Sequence, residues 1–322
     1  MQSAARSING AAPVPGSNDL LYVGNIGNNS ITVYHHDAQG NAAPVAVIAG
    51  PKTQIGVPGQ LSEDAAGNLY VANNVAIPFG NAFTPTPSAI GPSILVFPHG
   101  ANGNVAPLRT IVGPATTFKY ALGGVTVDQS TGKIFAVDTN IPFDGAQAIQ
   151  LRFPPNSAGK QAPYASGQIN YFALQLASDS TGNNLIEAHI DPPFCCGAPS
   201  YGVDTYVKQF ANNTPPTEVA SIGGITVNGV ADDPPTETYV VSTNSGIMRF
   251  PENINHPAIS TITSAPADCT QLALGYLRTI YATCGSAVDV YKHDSAGNVA
   301  PLRVLSGPAT KLNEPYGVYE GK

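Results

Sequence analysis

Glu187 and His189 are the residues of this chain best suited to acid–base chemistry. They lie two positions apart in the apolar stretch 185–190, so on a β-strand both side chains project from the same face. A carboxyl group and an imidazole on one face can transfer protons to and from a substrate. A Glu–His pair that satisfies itself within a protein core gives the same pattern, so both interpretations stay open.

Other polar residues end apolar strands in the way that His189 ends its own. Asn25, Asn73 and Asp138 each close such a strand. Oxygen and nitrogen ligands of these types can hold Ca²⁺ or a transition metal. We therefore take Asn73, Asp138, Glu187 and His189 as candidate ligands of a divalent metal, and Asn25 and Asn73 as candidate ligand-binding residues.

Three long segments that follow these strands share a Pro-Phe pair. The phenylalanines are Phe79, Phe143 and Phe194, and Phe83 follows the first of them closely. Aromatic surfaces stiffened by proline are suited to capturing a protein or a small molecule. Alternatively, each Pro-Phe pair packs on its own neighbourhood as a small core.

The four cysteines form two candidate pairs. Residues 270–274 and 279–283 form a predicted hairpin whose paired residue numbers add up to 553, as do those of Cys269 and Cys284. Directly opposed Cβ atoms, about 4.5–5.5 Å apart, are near disulfide geometry, so we predict this bridge; two reduced thiols are the alternative. The adjacent Cys195 and Cys196 form a vicinal disulfide, stay free or bind metal. A plausible bridge favours an oxidising compartment, so we expect an extracellular, periplasmic or cell-surface protein whose signal peptide has been removed.

Repeats show which elements position these residues. The segment GNVAPLRTIVGPAT at 103–116 recurs almost unchanged at 297–310 and more loosely at 40–53. Short apolar strands begin at Leu21, Leu69, Ile134, Leu185, Tyr239 and Ile280. Each is followed by a strand that closes on an aromatic residue: Tyr34, Phe97, Phe153, Phe210, Phe250 and Tyr291. With a first strand such as 124–128 and a fourth such as 108–112, each unit has four strands, which is typical of a β-propeller blade.

The sequences 124–128 (GVTVD), 68–73 (NLYVAN) and 133–138 (KIFAVD) resemble the NHL/YVTN-type β-propeller repeat. The resemblance covers nearly the whole chain and is weakest in 185–260. It implies an all-β, six-bladed β-propeller with four antiparallel strands per blade. It also implies that ligands meet the face formed by the loops from second to third and from fourth to first strands, where the four candidate metal ligands would ring the mouth of the central channel. That set loosely resembles the Glu/Asn/Asp ring of six-bladed lactonase-type enzymes.

The chain ends predict how the ring closes. The chain enters at a second-strand position, 20–25, and residues 315–320 match the first-strand position. The C-terminal strand should therefore join the N-terminal blade and leave no free sheet edge. We predict an extended leader at 1–19 and one propeller domain at 20–322. His36, His99 and His293 share one repeat position on different blades, so we do not expect a three-His zinc centre.

Composition narrows the function. Fourteen Lys and Arg stand against 21 Asp and Glu, and only 11% of residues are charged, so we expect no nucleic-acid partner. No apolar run approaches the roughly 18 residues of a membrane span, so we expect no transmembrane segment. We favour a non-catalytic secreted or cell-surface module that binds a protein or small-molecule ligand through the loop face. The alternative is a metal-dependent hydrolase or lyase, lactonase-like, that uses Glu187, His189, Asp138 and Asn73. Self-association through the loops is a third hypothesis.

Overall fold

The computed structural model describes residues 19–74, 89–119, 121–139, 148–169, 172–178, 183–191, 200–207, 214–215, 218–223, 225–252, 256–275 and 277–321. Its strands are, in chain order, β1 (Leu20–Asn25), β2 (Ser30–His35), β3 (Ala46–Ile48), β4 (Leu61–Glu63), β5 (Leu69–Asn73), β6 (Ser93–Phe97), β7 (Arg109–Ile111), β8 (Ala121–Val127), β9 (Ile134–Thr139), β10 (Ala148–Phe153), β11 (Ala165–Ile169), β12 (Phe172–Ser178), β13 (Asn184–Asp191), β14 (Ser200–Val207), β15 (Glu218–Gly223), β16 (Val227–Asp233), β17 (Thr238–Thr243), β18 (Gly246–Pro251), β19 (Ser260–Ile262), β20 (Cys269–Leu274), β21 (Ile280–Cys284), β22 (Ala287–Tyr291), β23 (Arg303–Leu305) and β24 (Pro315–Gly321). Short 3₁₀ turns lie at Pro51–Thr53, Pro114–Thr116, Pro234–Thr236 and Pro308–Thr310. In this described part, no helix is long and apolar enough to cross a membrane.

These strands form six antiparallel four-stranded sheets, the blades of a propeller. Blade 1 contains β24, β1, β2 and β3, and blades 2 to 6 take β4 to β23 four at a time. We name the strands of each blade a to d from the axis outward. The a strands of successive blades contact one another around the whole ring, including β24 with β4. The predicted six-bladed all-β fold is confirmed.

The ring closes as the chain ends predict. β24 pairs antiparallel with β1, from Leu20 opposite Gly321 to Asn25 opposite Pro315. The first and last strands of the described chain thus share one blade. This pairing gives blade 1 its fourth strand.

Four glycines between c and d strands, three of them in the repeated Gly-Asn segment, bridge to the outer strand of the preceding blade. Gly103, between the c and d strands of blade 2, donates its N–H to the carbonyl of Val47 in blade 1 at 2.7 Å and accepts from Ala49. Asn104 Oδ1 accepts from the N–H of Lys52 at 2.8 Å. Gly103 has φ of 76°, a conformation that favours glycine. Parallel bridges of the same kind join Ile111 to Gly159, Ile262 to Gly297 and Leu305 to Gly40.

The predicted aromatic register holds in five blades and is wrong in blade 4. Tyr34 pairs with Leu21 and Phe97 with Leu69, and Phe153, Phe250 and Tyr291 take the same position in their blades. In blade 4 the residue opposite Leu185 is Tyr206, and Phe210 lies outside the described residues. β13 and β14 pair from Asp191 opposite Ser200 to Asn184 opposite Val207, and this register places Tyr206 opposite Leu185.

The predicted disulfide between Cys269 and Cys284 is confirmed. The register of the hairpin differs from the prediction, since Leu274 pairs with Ile280 rather than with Thr279. A bulge between Cys269 and Leu272 then shifts the pairing by one residue, which brings the two cysteines opposite each other.

Candidate functional site

Glu187 and His189 lie together in a polar cluster on blade 4. Both are on β13, where Glu187 pairs with Asp204 and His189 with Gly202 of β14. His189 Nδ1 is 3.5 Å from Asp204 Oδ2. A Cβ at Gly202 would lie 2.9 Å from the imidazole, so the glycine leaves room for that ring. The two residues lie on one strand, two positions apart, and Asp204 is an additional member of the cluster that the sequence did not predict.

Glu187 also contacts the neighbouring blade. Its Oε2 accepts a hydrogen bond from Gln150 Nε2 at 3.2 Å, and Gln150 Oε1 accepts one from the Arg152 guanidinium at 2.7 Å. Gln150 and Arg152 are on β10 of blade 3, and the Arg152 guanidinium lies 4.8 Å from the ring centre of Phe135. Glu187, Gln150 and Arg152 are all completely buried. The cluster therefore lies in the interface between blades 3 and 4.

Burial dominates the electrostatics of this cluster. Burial first, and then the nearby Asp204 charge, raise the pKa of Glu187 from 4.5 to about 8, against the lowering effects of Gln150 and Arg152. Burial also lowers the pKa of Arg152 to about 10. Glu187 Oε1 has no hydrogen-bond partner among the described residues. The raised pKa favours the protonated form of Glu187, which is the state that a general acid needs.

The side chains of Asn25, Asn73 and Asp138 each fix the chain segment that enters the a strand. Each accepts a hydrogen bond from a backbone N–H in the segment that leads into the a strand of its own blade. The donors are Asn313 to Asn25 at 3.0 Å, Gly56 to Asn73 at 2.8 Å and Lys119 to Asp138 at 2.8 Å. Within the described chain, no three His, Cys, Asp or Glu side chains are grouped so that they could hold a metal ion. Metal binding by Asn73, Asp138, Glu187 and His189 stays a prediction.

The aromatic residues of the long loops cannot be placed in this site. Phe79, Phe83, Phe143 and Phe194 lie outside the described residues, as do Cys195 and Cys196. The strand before the first of these loops ends at Asn73, as the sequence predicts, whereas in blade 4 the strands extend further, to Asp191 and from Ser200. An aromatic rim on this face stays a prediction.

A cavity of about 650 Å³ lies on the axis of the ring. Residues from the a strands of all six blades line it, and Asp128, Asn183 and Pro234 place its mouth at the turns from a to b strands. This is the face opposite the one that the resemblance implies. Gln60 and Gln175, which the sequence analysis missed, also line the cavity. The signal for them was available, because glutamine recurs at one a-strand position.

A second polar cluster joins blades 5 and 6. Arg278 donates to both oxygens of Asp233, at 2.9 and 2.6 Å, and His293 also contacts this carboxylate. Asp233 is almost completely buried, and the hydrogen bonds from Arg278, Thr236 and His293 outweigh that burial and lower its pKa to about 2. His293 of blade 6 thus helps to join the two blades through Asp233, a role that the sequence did not predict.

No protein-family model and no curated protein sequence matches this chain. Solved structures do. The periplasmic gluconolactonase PpgL of Pseudomonas aeruginosa matches with a TM-score of 0.59 at 10% identity, over 94% of this chain and 99% of that one. The WD40 β-propeller domain of Doa1 matches with a TM-score of 0.52 at 13% identity, over 89% of this chain and 79% of that one. At these identities the likeness shows the propeller fold alone.

Proposed function

We propose that this chain is an exported, non-catalytic β-propeller of the NHL/YVTN type that binds a small molecule or a partner protein at the axis of its ring. The observation that carries the proposal is the axial cavity of about 650 Å³, which is within the usual size range of small-molecule sites. The disulfide supports export, because such bonds persist in oxidising compartments. The predicted Phe79, Phe83, Phe143 and Phe194 rim belongs to the same proposal, as a second contact surface at the other end of the axis.

The walls of the cavity are suited to polar ligands. Small residues, among them Ser62, Ala177, Ala231 and Ala273, line it where the a strands run past the axis. These strands are the inner edges of their sheets, so backbone N–H and C=O groups that pair with no neighbouring strand face the axis. A ligand in the cavity can form hydrogen bonds to this backbone.

A thermal-shift screen against small polar metabolites tests the proposal. A ligand at 100 times its Kd should stabilise the protein by about 2.7 kcal/mol and raise Tm accordingly. Ala177→Leu narrows the cavity and should abolish the shift, whereas Ala43→Leu, at an exposed alanine, should keep it. A shift that survives Ala177→Leu unchanged would place the ligand elsewhere and refute binding at the axis.

The alternative function is metal-dependent hydrolysis or lyase chemistry of the lactonase kind, through Glu187, His189, Asp138 and Asn73. The observation in its favour is the completely buried Glu187, which pairs with Asp204 two positions from His189 and whose pKa is raised by burial. The similar Pseudomonas protein is described as a gluconolactonase. Hydrolysis of gluconolactone should then depend on added Ca²⁺ or Zn²⁺ and be lost in Glu187→Gln. Purified protein that contains no metal and hydrolyses no lactone would rule this alternative out.

A further inference from the structure

Glutamine and glycine alternate at one position of the a strands around the ring. Blades 2, 4 and 6 have Gln60-Leu61, Gln175-Leu176 and Gln271-Leu272; blades 3, 5 and 1 have Gly124-Val125, Gly229-Val230 and Gly317-Val318. The ring therefore consists of three similar pairs of blades. This pattern predicts three similar contacts across the axis.

The first contact starts at Gln60. Its Nε2 donates to the carbonyl of Leu176, two blades away, at 2.5 Å, and its Oε1 accepts from the Leu176 N–H at 2.9 Å. The same oxygen accepts from the Val125 N–H of the blade between them at 3.2 Å. A Cβ at Gly124 would lie 2.3 Å from this oxygen, so only glycine leaves space for the carboxamide. We call this arrangement a carboxamide clasp.

The second clasp repeats the first. Gln175 Nε2 donates to the carbonyl of Leu272 at 2.6 Å, and Gln175 Oε1 accepts from the Leu272 and Val230 N–H groups, both at 3.1 Å. A Cβ at Gly229 would lie 2.5 Å from that oxygen. Two of the three pairs of blades thus hold a carboxamide in the same way.

The third clasp has the same backbone but a different side-chain contact. By the pattern, Gln271 should reach Leu61 past Gly317 and Val318. Instead, Gln271 donates to the carbonyl of Leu174 at 3.2 Å, and its Oε1, completely buried, has no hydrogen-bond partner among the described residues. The atoms nearest to a Cβ at Gly317 are backbone atoms of Gly59 and Leu61 Cγ at 3.5 Å, so no carboxamide oxygen of the described chain takes the position seen at Gly124 and Gly229.

The backbone of Leu61 is available from the axis. Leu61 pairs with Val71, and its neighbour Gln60 forms the ladder hydrogen bond to Ala72, so the N–H and C=O of Leu61 face away from the b strand. Leu176 and Leu272 face the axis in the same way in the two complete clasps. Leu61 and Val318 both line the axial cavity.

We propose that the backbone N–H and C=O of Leu61 and the backbone N–H of Val318 bind a primary carboxamide next to Gly317. The carboxamide would be carried by a ligand in the axial cavity. This inference rests on the proposed function, since it names the chemical group that the cavity takes. A primary carboxamide presents one N–H and its C=O on the same side, which matches the N–H and C=O of a single strand residue. A trans peptide group presents them on opposite sides, and a carboxylate has no donor for the Leu61 carbonyl.

Backbone amide NMR during titration with L-glutamine tests the proposal. We expect saturable shifts of the Leu61 and Val318 N–H signals and none at Leu176 and Leu272, whose amides are already paired. L-glutamate, the matched carboxylate, should leave all four signals unchanged. Equal responses to glutamine and glutamate, or no response at Leu61, would overturn the proposal; the second result is expected if Gln271 itself rotates into the third clasp. If the carboxamide proposal fails but other ligands still raise Tm through the cavity, the proposed function remains supported.

A second variant tests the chemistry of the clasp. Gln60→Ala removes the carboxamide from Leu176, so the Leu176 N–H should join the signals that respond to L-glutamine. Gln161→Ala, at an exposed glutamine, is the matched control and should respond as the unaltered protein does. If Gln60→Ala folds but its Leu176 N–H signal does not shift with L-glutamine, the clasp does not recognise carboxamides.

Discussion

Replacing the buried carboxyl of Glu187 by a carboxamide should stabilise this protein, and more so as pH rises. In Glu187→Gln the new side chain has nearly the same shape and can still accept from Gln150. Its amide can donate to the carboxylate of Asp204, which lies opposite on β14. The substitution removes a group that must stay protonated in the folded state and ionises freely in the unfolded state.

The size of the effect follows from the pKa of Glu187, which burial raises from 4.5 to about 8. Below pH 4.5 the carboxyl is protonated in both states and contributes no difference. Between pH 4.5 and 8 only the unfolded state releases the proton, so the free energy of unfolding falls by about 1.4 kcal/mol per pH unit. At pH 7 the loss is on the order of 3 kcal/mol, and Glu187→Gln should recover it.

Urea unfolding at pH 4, 5.5 and 7 measures this difference, followed by circular dichroism or tyrosine fluorescence, since the chain has 14 Tyr and no Trp. Glu237→Gln, at an exposed carboxylate, is the control and should show no such trend. The reasoning would be refuted if Glu187→Gln lowered stability by several kcal/mol at pH 7. That result would mean that Glu187 is ionised and paired with the buried Arg152.

Three further predictions concern stability in the same urea assay. Changing Cys269 and Cys284 to Ser together should cost about 3 kcal/mol, because the bridge closes a loop of 15 residues; an unchanged midpoint would contradict this. Asp233→Ala should cost about 2 kcal/mol at pH 7, between the values for exposed and buried ion pairs. That difference should disappear as pH falls from 3.8 to about 2, where Asp233 becomes protonated in the native protein too. Gly103→Ala should cost about 1 kcal/mol, because its positive φ is strained for alanine but the space is open. Gly246→Ala should cost at least twice as much, since its Cβ would lie 2.1 Å from the Ile262 carbonyl oxygen; equal costs would show that φ alone decides.

Local patterns predicted the fold well, because each blade repeats one strand order. The disulfide was predicted although the hairpin register was off by one residue, since the bulge near Cys269 cannot be seen in strand periodicity. Phe210 was assigned by residue type, whereas the pairing of β13 with β14 places Tyr206 opposite Leu185. Gln60 was missed although glutamine recurs at its a-strand position, but its partner Leu176, 116 residues away, can be identified only in the assembled ring.

The repeat also separates residues that serve the fold from residues that are candidates for function. Asn25, Asn73 and Asp138 recur at one position, and all three hold the segment that enters the a strand. A residue that recurs in this way needs no ligand to explain it. Glu187 replaces an alanine or valine that stands at this position in every other blade. It belongs to the buried polar cluster between blades 3 and 4, so the repeat does not explain it.

The third carboxamide clasp is the second departure from the repeat, and it differs in kind from Glu187. There the sequence keeps the pattern, with Gln271, Gly317 and Leu61 all present, but the side-chain contact does not follow it. Burying an unpaired carboxamide oxygen costs free energy that two clasps avoid. We expect a protein to keep this unfavourable arrangement of Gln271 where the backbone groups that it leaves unpaired bind something else. The axial cavity reaches Leu61 and Val318, so a ligand's carboxamide can supply the partner that Gln271 does not.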